Sequence, residues 1–172
     1  MIKFKKNLGK NIRLDNYQSR ENFILNLDRN ENIRGFNSKQ KKKFFNYLLS
    51  TKINHYPNLK MTYKKLSKYL NININNLLIC EGVSGGIKNI LDSLEINSKS
   101  EIIIPNPSFA LYDIYGKIYG LNVKTFNYTK NFDLNHFQVL RLINKNTQVV
   151  FMPIPNIPVE GNVSKKMIIK IA

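Results

Sequence analysis

The sequence predicts an α/β fold: a partial, mainly parallel sheet with helices on both faces, preceded by an N-terminal arm and a helical segment. Two observations carry this. Short, continuously apolar runs alternate with stretches of helical periodicity, and parallel strands buried on both faces read as unbroken apolar runs. The glycines, prolines and polar loop residues then cluster just after those runs, at the strand ends where such sheets hold ligands. The predicted organisation is an arm over residues 1–36, helices over 37–76 and an incomplete large domain over 77–172.

The arm is polar and lacks sustained periodicity. Ser38 is placed to cap a helix running to about Ser50, and Thr62 to cap another through about Tyr69. Leu66 and Leu70 share a face of that second helix at i, i+4 spacing. Residues 51–60 form a turn-rich link containing Tyr56-Pro57-Asn58.

From residue 77 the pattern changes. Leu77–Cys80 predicts a strand, and Glu81–Gly86 a glycine-rich loop. A helix follows, with Ile87, Ile90, Leu91 and Leu94 on one face. Ile102-Ile103-Ile104 predicts a second strand, ending at Pro105-Asn106-Pro107. Ser108 would cap a helix over Phe109–Tyr119, which Gly120 closes. Leu121–Tyr128 predicts a strand, Asp133–Ile143 a helix and Gln148–Met152 a buried strand. Prolines 153, 155 and 158 break that last strand, and Ser164 opens a final helix.

Composition narrows the function classes. The 172 residues are 42% hydrophobic, enough for a packed core. No apolar run approaches the roughly 18 residues of a membrane span, and Met1–Lys10 is too charged for a secretory signal. A cytoplasmic location is the default expectation. Cys80 is the single cysteine, and His55 and His136 are the two histidines, so neither a disulfide framework nor a histidine-rich metal centre is expected. Cys80 ends a buried-type run, which favours core packing over a reactive thiol.

The formal charge is +16, and Met1–Leu70 holds 17 of the 27 basic residues against 4 of the 11 acidic ones. Such a half fits either solvated helix faces, as around Lys39–Lys43, or a surface for a polyanion. No zinc-finger spacing, RNA-recognition signature or helix-turn-helix accompanies the charge, so nucleic acid is not the expected partner.

Three loops have the makings of a site. In Glu81–Gly86, a strand feeding a glycine-rich turn and then a helix suits a phosphate, with Ser84 adding a hydroxyl and Gly85 and Gly86 allowing close approach. A plain tight turn is the other reading. In Pro105–Tyr112, Phe109 stands at the ligand edge, placed either to stack on a flat heterocycle or to pack into the core. In Met152–Gly161, the prolines fix a rigid loop around Asn156, the strongly polar side chain of its first half.

In order and spacing these loops resemble the N-terminal half of the class I/II aminotransferases, fold-type-I enzymes that use pyridoxal 5'-phosphate, and within them the histidinol-phosphate aminotransferase group. Five stretches carry the resemblance. Leu27-Asp28-Arg29-Asn30-Glu31-Asn32 resembles that group's Asn-Glu-Asn segment, and Asn54-His55-Tyr56-Pro57 its Arg-Tyr-Pro element. Gly82–Ile87 sits where the family has its phosphate-cradling turn. Pro107–Tyr112 matches its Pro-Thr-aromatic-x-x-Tyr, and Pro155-Asn156-Ile157-Pro158 resembles its Pro-Asn-Asn-Pro-Thr-Gly. The resemblance covers the chain from residue 21 onward.

It implies a set of roles. Val83, Ser84 and Gly85 would hold the cofactor phosphate, Phe109 its pyridine ring and Asn156 its 3-oxygen. Tyr56 would reach the phosphate of a partner subunit in a homodimer, and Glu31 and Asn32 would lie near the substrate entrance. The reaction implied is amino exchange between a small-molecule donor and a 2-oxo acid or phosphorylated ketone. A related decarboxylase or lyase shares these loops, and a non-enzymatic polyanion-binding protein is the third reading.

The chain also departs from the family. Ile157 stands where the family has the asparagine before proline, so Asn156 would act from one position earlier. Val159-Glu160-Gly161 replaces Thr-Gly, and Ile33 follows Asn32 in place of proline. The Schiff-base lysine, the aspartate that pairs with the pyridine nitrogen and the carboxylate-binding arginine belong to a C-terminal half that this sequence does not match. The expectation is therefore a fragment that does not transaminate alone and is marginally stable. A second chain supplying the missing half is the alternative.

Overall fold

A computed structural model describes residues 32–161 and 163–172. They fall into two compact units, residues 32–79 and Cys80–Ala172.

The first unit is helical. Helix α1 spans Ser38–Ser50, and its cap is Asn37, one residue before the predicted Ser38. Asn37 accepts from Gln40 N while Gln40 Oε1 accepts from Asn37 N, both at 2.9 Å. That reciprocal box satisfies two donors that a cap at Ser38 would leave open. Helix α2 spans Lys60–Leu70, beginning before the predicted Thr62 cap, with Asn58 Oδ1 accepting from Lys60 N at 3.0 Å. A short 3-10 turn follows at Ile74–Asn76.

The run at residues 77–80 is not a strand. Its apolar residues have the right propensity, but a strand exists only as half of a ladder. The Ile79 N–H is taken by the Tyr63 hydroxyl at 3.0 Å, and no described strand pairs with the run.

The second unit is the α/β part. Its elements are α3 (Gly82–Asp92), β1 (Glu101–Asn106), α4 (Leu111–Ile118), β2 (Asn122–Asn127), α5 (His136–Leu142), β3 (Thr147–Val150) and α6 (Lys165–Ile171). The three strands lie in the order β2-β1-β3, both pairings parallel. Central strand β1 aligns Glu101 with Asn122 through Asn106 with Asn127, and its register on β3 shifts once between Glu101 and Ile102.

Period-two alternation divides β1 between two cores. Ile102 and Ile104 point to one face and pack with Ile87 and Leu91 of α3, Tyr112 of α4 and Phe151. Ile103 points to the other, with Phe126, Leu134 and Val139, against which Met167 and Ile171 of α6 rest. Helices thus cover both faces, as the continuous apolar strands require.

Candidate functional site

The connectivity sets which helix ends meet at which sheet edge. Helix α4 leaves the C-terminal end of β1 and returns to the start of β2, so its N-terminus lies at the C-terminal edge of the strands. At the opposite edge the Tyr119 hydroxyl, at the end of α4, donates to Asp92 at the end of α3. Lys88 pairs with the same carboxylate at 2.7 Å. The two helices therefore run side by side in one direction, and the start of α3 faces the C-terminal edge as well.

The segment predicted as a glycine-rich loop is the first turn of α3 itself. Gly82 makes the entry with φ +69°, a conformation that costs glycine little, and no atom would meet a side chain there. Its N–H is spent on Cys80 O at 2.8 Å. The Val83 and Ser84 N–H groups fall within the first turn, which has no intrahelical acceptors, and Glu81 at the N-cap offers no side-chain cap bond. Two donors and the positive end of the helix dipole are thus presented beside the exposed Val83 and the half-buried Ser84. Gly85 contributes by what it lacks, since a Cβ there would stand 3.2 Å from the Glu81 side chain.

The loop after β1 carries Phe109. Its ring is half-buried, resting against the first core and meeting Tyr112 edge-on at 6.2 Å, while Tyr112 in turn packs on Phe151 at 4.8 Å. Core packing holds the ring at the strand ends. Ser108 does not cap the following helix, which starts at Leu111 with no side-chain cap. Its hydroxyl donates instead to Asn156 Oδ1 at 2.7 Å.

Asn156 lies in the loop after β3 and is 1% exposed. Its Nδ2 donates to Pro107 O at 2.9 Å. Burial pushes the Tyr128 phenol, at the end of β2, above its ordinary range, and a hydrogen bond from Asn156 offsets part of that rise. One amide thereby joins the loops after β1 and β3. Gly161 lets the second of these loops pass close to Tyr128, because a Cβ there would overlap the Phe132 carbonyl oxygen and come within 2.8 Å of the Tyr128 ring. Sequence reasoning missed Tyr128, whose one signal was its place at the end of a strand.

Two of the other predicted site residues, Asn32 and Tyr56, lie in the first unit. Asn32 forms a turn with Gly35, accepting from its N–H at 2.9 Å and donating to its carbonyl at 3.2 Å. Tyr56 is 101% exposed. Glu31 lies outside the described residues. Among the described residues no cluster of histidine, cysteine and carboxylates has the makings of a metal site, and no helix is long and apolar enough to cross a membrane.

The layered parallel sheet with helices on both faces has the fold of part of known aminotransferase structures. It superposes on a putative histidinol-phosphate aminotransferase from Erwinia carotovora atroseptica SCRI1043 with a TM-score of 0.67, at 20% identity, over 81% of this chain and 40% of that one. The chain belongs to the aminotransferase class I and II family, whose sequence profile it matches over residues 14–169. It is 33% identical over 160 residues to a histidinol-phosphate aminotransferase of Methanococcus aeolicus, covering 91% of this chain and 43% of the relative. It is 30% identical over 154 residues to one of Clostridium novyi, covering 88% and 43%. The chain thus spans about two-fifths of the length of these curated relatives.

Proposed function

We propose that this chain is the cofactor-holding N-terminal portion of a pyridoxal-phosphate-dependent aminotransferase. The complete enzyme would exchange an amino group between a small donor and a 2-oxo acid or phosphorylated ketone, of the kind histidinol phosphate represents. One observation carries the reading: in a member of this family, the free N–H groups of α3 and the Phe109 ring are presented at the same edge of one parallel sheet. The names of the curated relatives support the substrate class.

The residues present fit the group. Val83 and Ser84 donate backbone N–H bonds to the phosphate, the Ser84 hydroxyl adds a third donor, and Gly85 keeps the turn narrow. Phe109 offers its exposed part to the pyridine ring, held from behind by Tyr112. Tyr56, with nothing covering it, extends to the phosphate of a second copy in the homodimer, and Glu31 and Asn32 border the substrate entrance. When bound, the cofactor supplies the electron sink for amino exchange. None of the lysines here matches the family's cofactor-anchoring lysine, so the reading requires further sequence, in the same polypeptide or a second chain, to complete catalysis.

Titration of the 172-residue chain with pyridoxal 5'-phosphate, read by phosphorus NMR and by circular dichroism in the cofactor's absorption band, tests this. Binding is expected, with Ser84→Ala weakening it and Phe109→Ala abolishing the induced dichroism. Binding indifferent to both substitutions would count against the reading. Strongly salt-dependent binding to RNA without any cofactor effect would favour a polyanion-binding role instead.

A further inference from the structure

We propose that Asn156 is a positioning residue: its buried amide fixes Pro107 and Ser108, so sets the orientation of the Phe109 ring, and makes no contact with the cofactor itself. The proposal deepens the cofactor reading above and reassigns the 3-oxygen role expected of Asn156. Hydrogen bonding and burial together decide the matter. A primary amide has two N–H donors and one acceptor oxygen. Here one N–H goes to Pro107 O and Oδ1 receives the Ser108 hydroxyl, so both ends of the amide are engaged on the loop just before Phe109. At 1% exposure the amide is shielded from solvent and not displayed to a ligand, so it does not reach a ring oxygen.

The bonds to Pro107 and Ser108 fall on the two residues immediately before Phe109, on a loop whose helix has no side-chain cap of its own. At Pro107 and Ser108 themselves these two bonds are the holds to the loop after β3, between Asn106, whose amide donates to Asn127 Oδ1 at 3.3 Å, and the packed Phe109. Ile157, at the family's asparagine position, is 53% exposed and has no hydrogen-bonding side chain, so it does not supply the missing donor.

The test uses the 172-residue chain with ring-labelled phenylalanine, the Phe109 signals being assigned by Phe109→Leu. In Ser108→Ala and Asn156→Ala those signals should move toward the free-ring average, whereas Ser108→Thr keeps the hydroxyl and should retain them. Should Asn156→Ala fail to fold, Ser108→Ala carries the comparison. Unchanged Phe109 signals in folded Ser108→Ala overturn the proposal, whether or not the chain binds cofactor.

With pyridoxal 5'-phosphate as probe, Ser108→Ala should weaken binding up to about tenfold, the scale of one aromatic stacking contact. Inorganic phosphate, held at α3, should bind as before. Combined with Phe109→Ala, the substitution should cost nothing more, because both act through one ring. An additive loss would mean direct contact and would reject the proposal. If the wild-type chain binds no pyridoxal phosphate while the ring signals respond as expected, the cofactor reading fails and the positioning role stands.

Discussion

Ser108 and Asn156 stand 48 positions apart and are joined by a 2.7 Å hydrogen bond between the loops after β1 and β3. The bond explains why α4 starts without a side-chain cap: its nearest capping hydroxyl is engaged elsewhere. Leaving a buried amide unsatisfied costs about 1–3 kcal/mol, so the pair also contributes to the stability of the sheet edge.

The core of the second unit should respond to truncation far more than the surface of the first. Leu91, fully buried between α3 and β1, should cost about 2–5 kcal/mol as Leu91→Ala. Leu49→Ala, on the exposed side of α1, should stay within about 0.5 kcal/mol. Urea midpoints of the two variants check this.

Two glycines should tolerate a methyl group differently. At Gly116 a Cβ would come 2.6 Å from Ile102 Cδ1 and 2.8 Å from Val123 Cγ2, side-chain ends that can shift. Gly116→Ala should therefore cost about 1–3 kcal/mol, as overpacking does. At Gly161 the obstacle is the Phe132 backbone carbonyl. Gly161→Ala should separate the loops around Tyr128 and Asn156, seen as a lower melting temperature than Gly116→Ala and a changed tyrosine near-ultraviolet dichroism.

Glu101 makes stability pH-dependent on the acid side. Its carboxyl is held below the ordinary range, first by the hydrogen bond from Lys124 at 2.8 Å and then by that from Asn144 at 2.7 Å. Because the folded value is the lower one, this contribution is fully present above the ordinary carboxylate range and is lost as pH falls through the folded value. Lys124→Met should flatten the decline of the urea midpoint with falling pH. An unchanged acid slope would show that the pair is energetically silent.

Helix α1 buries none of its residues and so depends on its cap. Asn37→Ala removes the acceptor for Gln40 N and should cost about 1 kcal/mol of helix stability, lowering far-ultraviolet ellipticity. Ser38→Ala should leave it unchanged, since Ser38 is already within the helix.

The α/β class, the order of strands and helices, and the family were legible because their signals are local. Ile102–Ile104 reads as a strand buried on both faces from its own composition, and the helix closing at Gly120 follows from its spacing and its glycine. The motif order from Leu27 to Pro158 needed no coordinates, and the family match extends over residues 14–169. What tertiary structure decided were choices between partners of similar local merit. The Ser108 hydroxyl suits a helix cap or a distant amide, and burial of Asn156 selected the amide. The run at 77–80 has strand propensity, yet the Ile79 N–H went to Tyr63 and no described strand pairs with the run. Gly82–Gly85 suits a loop or a helical turn, and packing of Ile87 and Leu91 on β1 carried the helix back through the glycines. A polar group's choice among acceptors depends on which of them is brought near and shielded from water, and that is settled by packing between segments far apart in the chain.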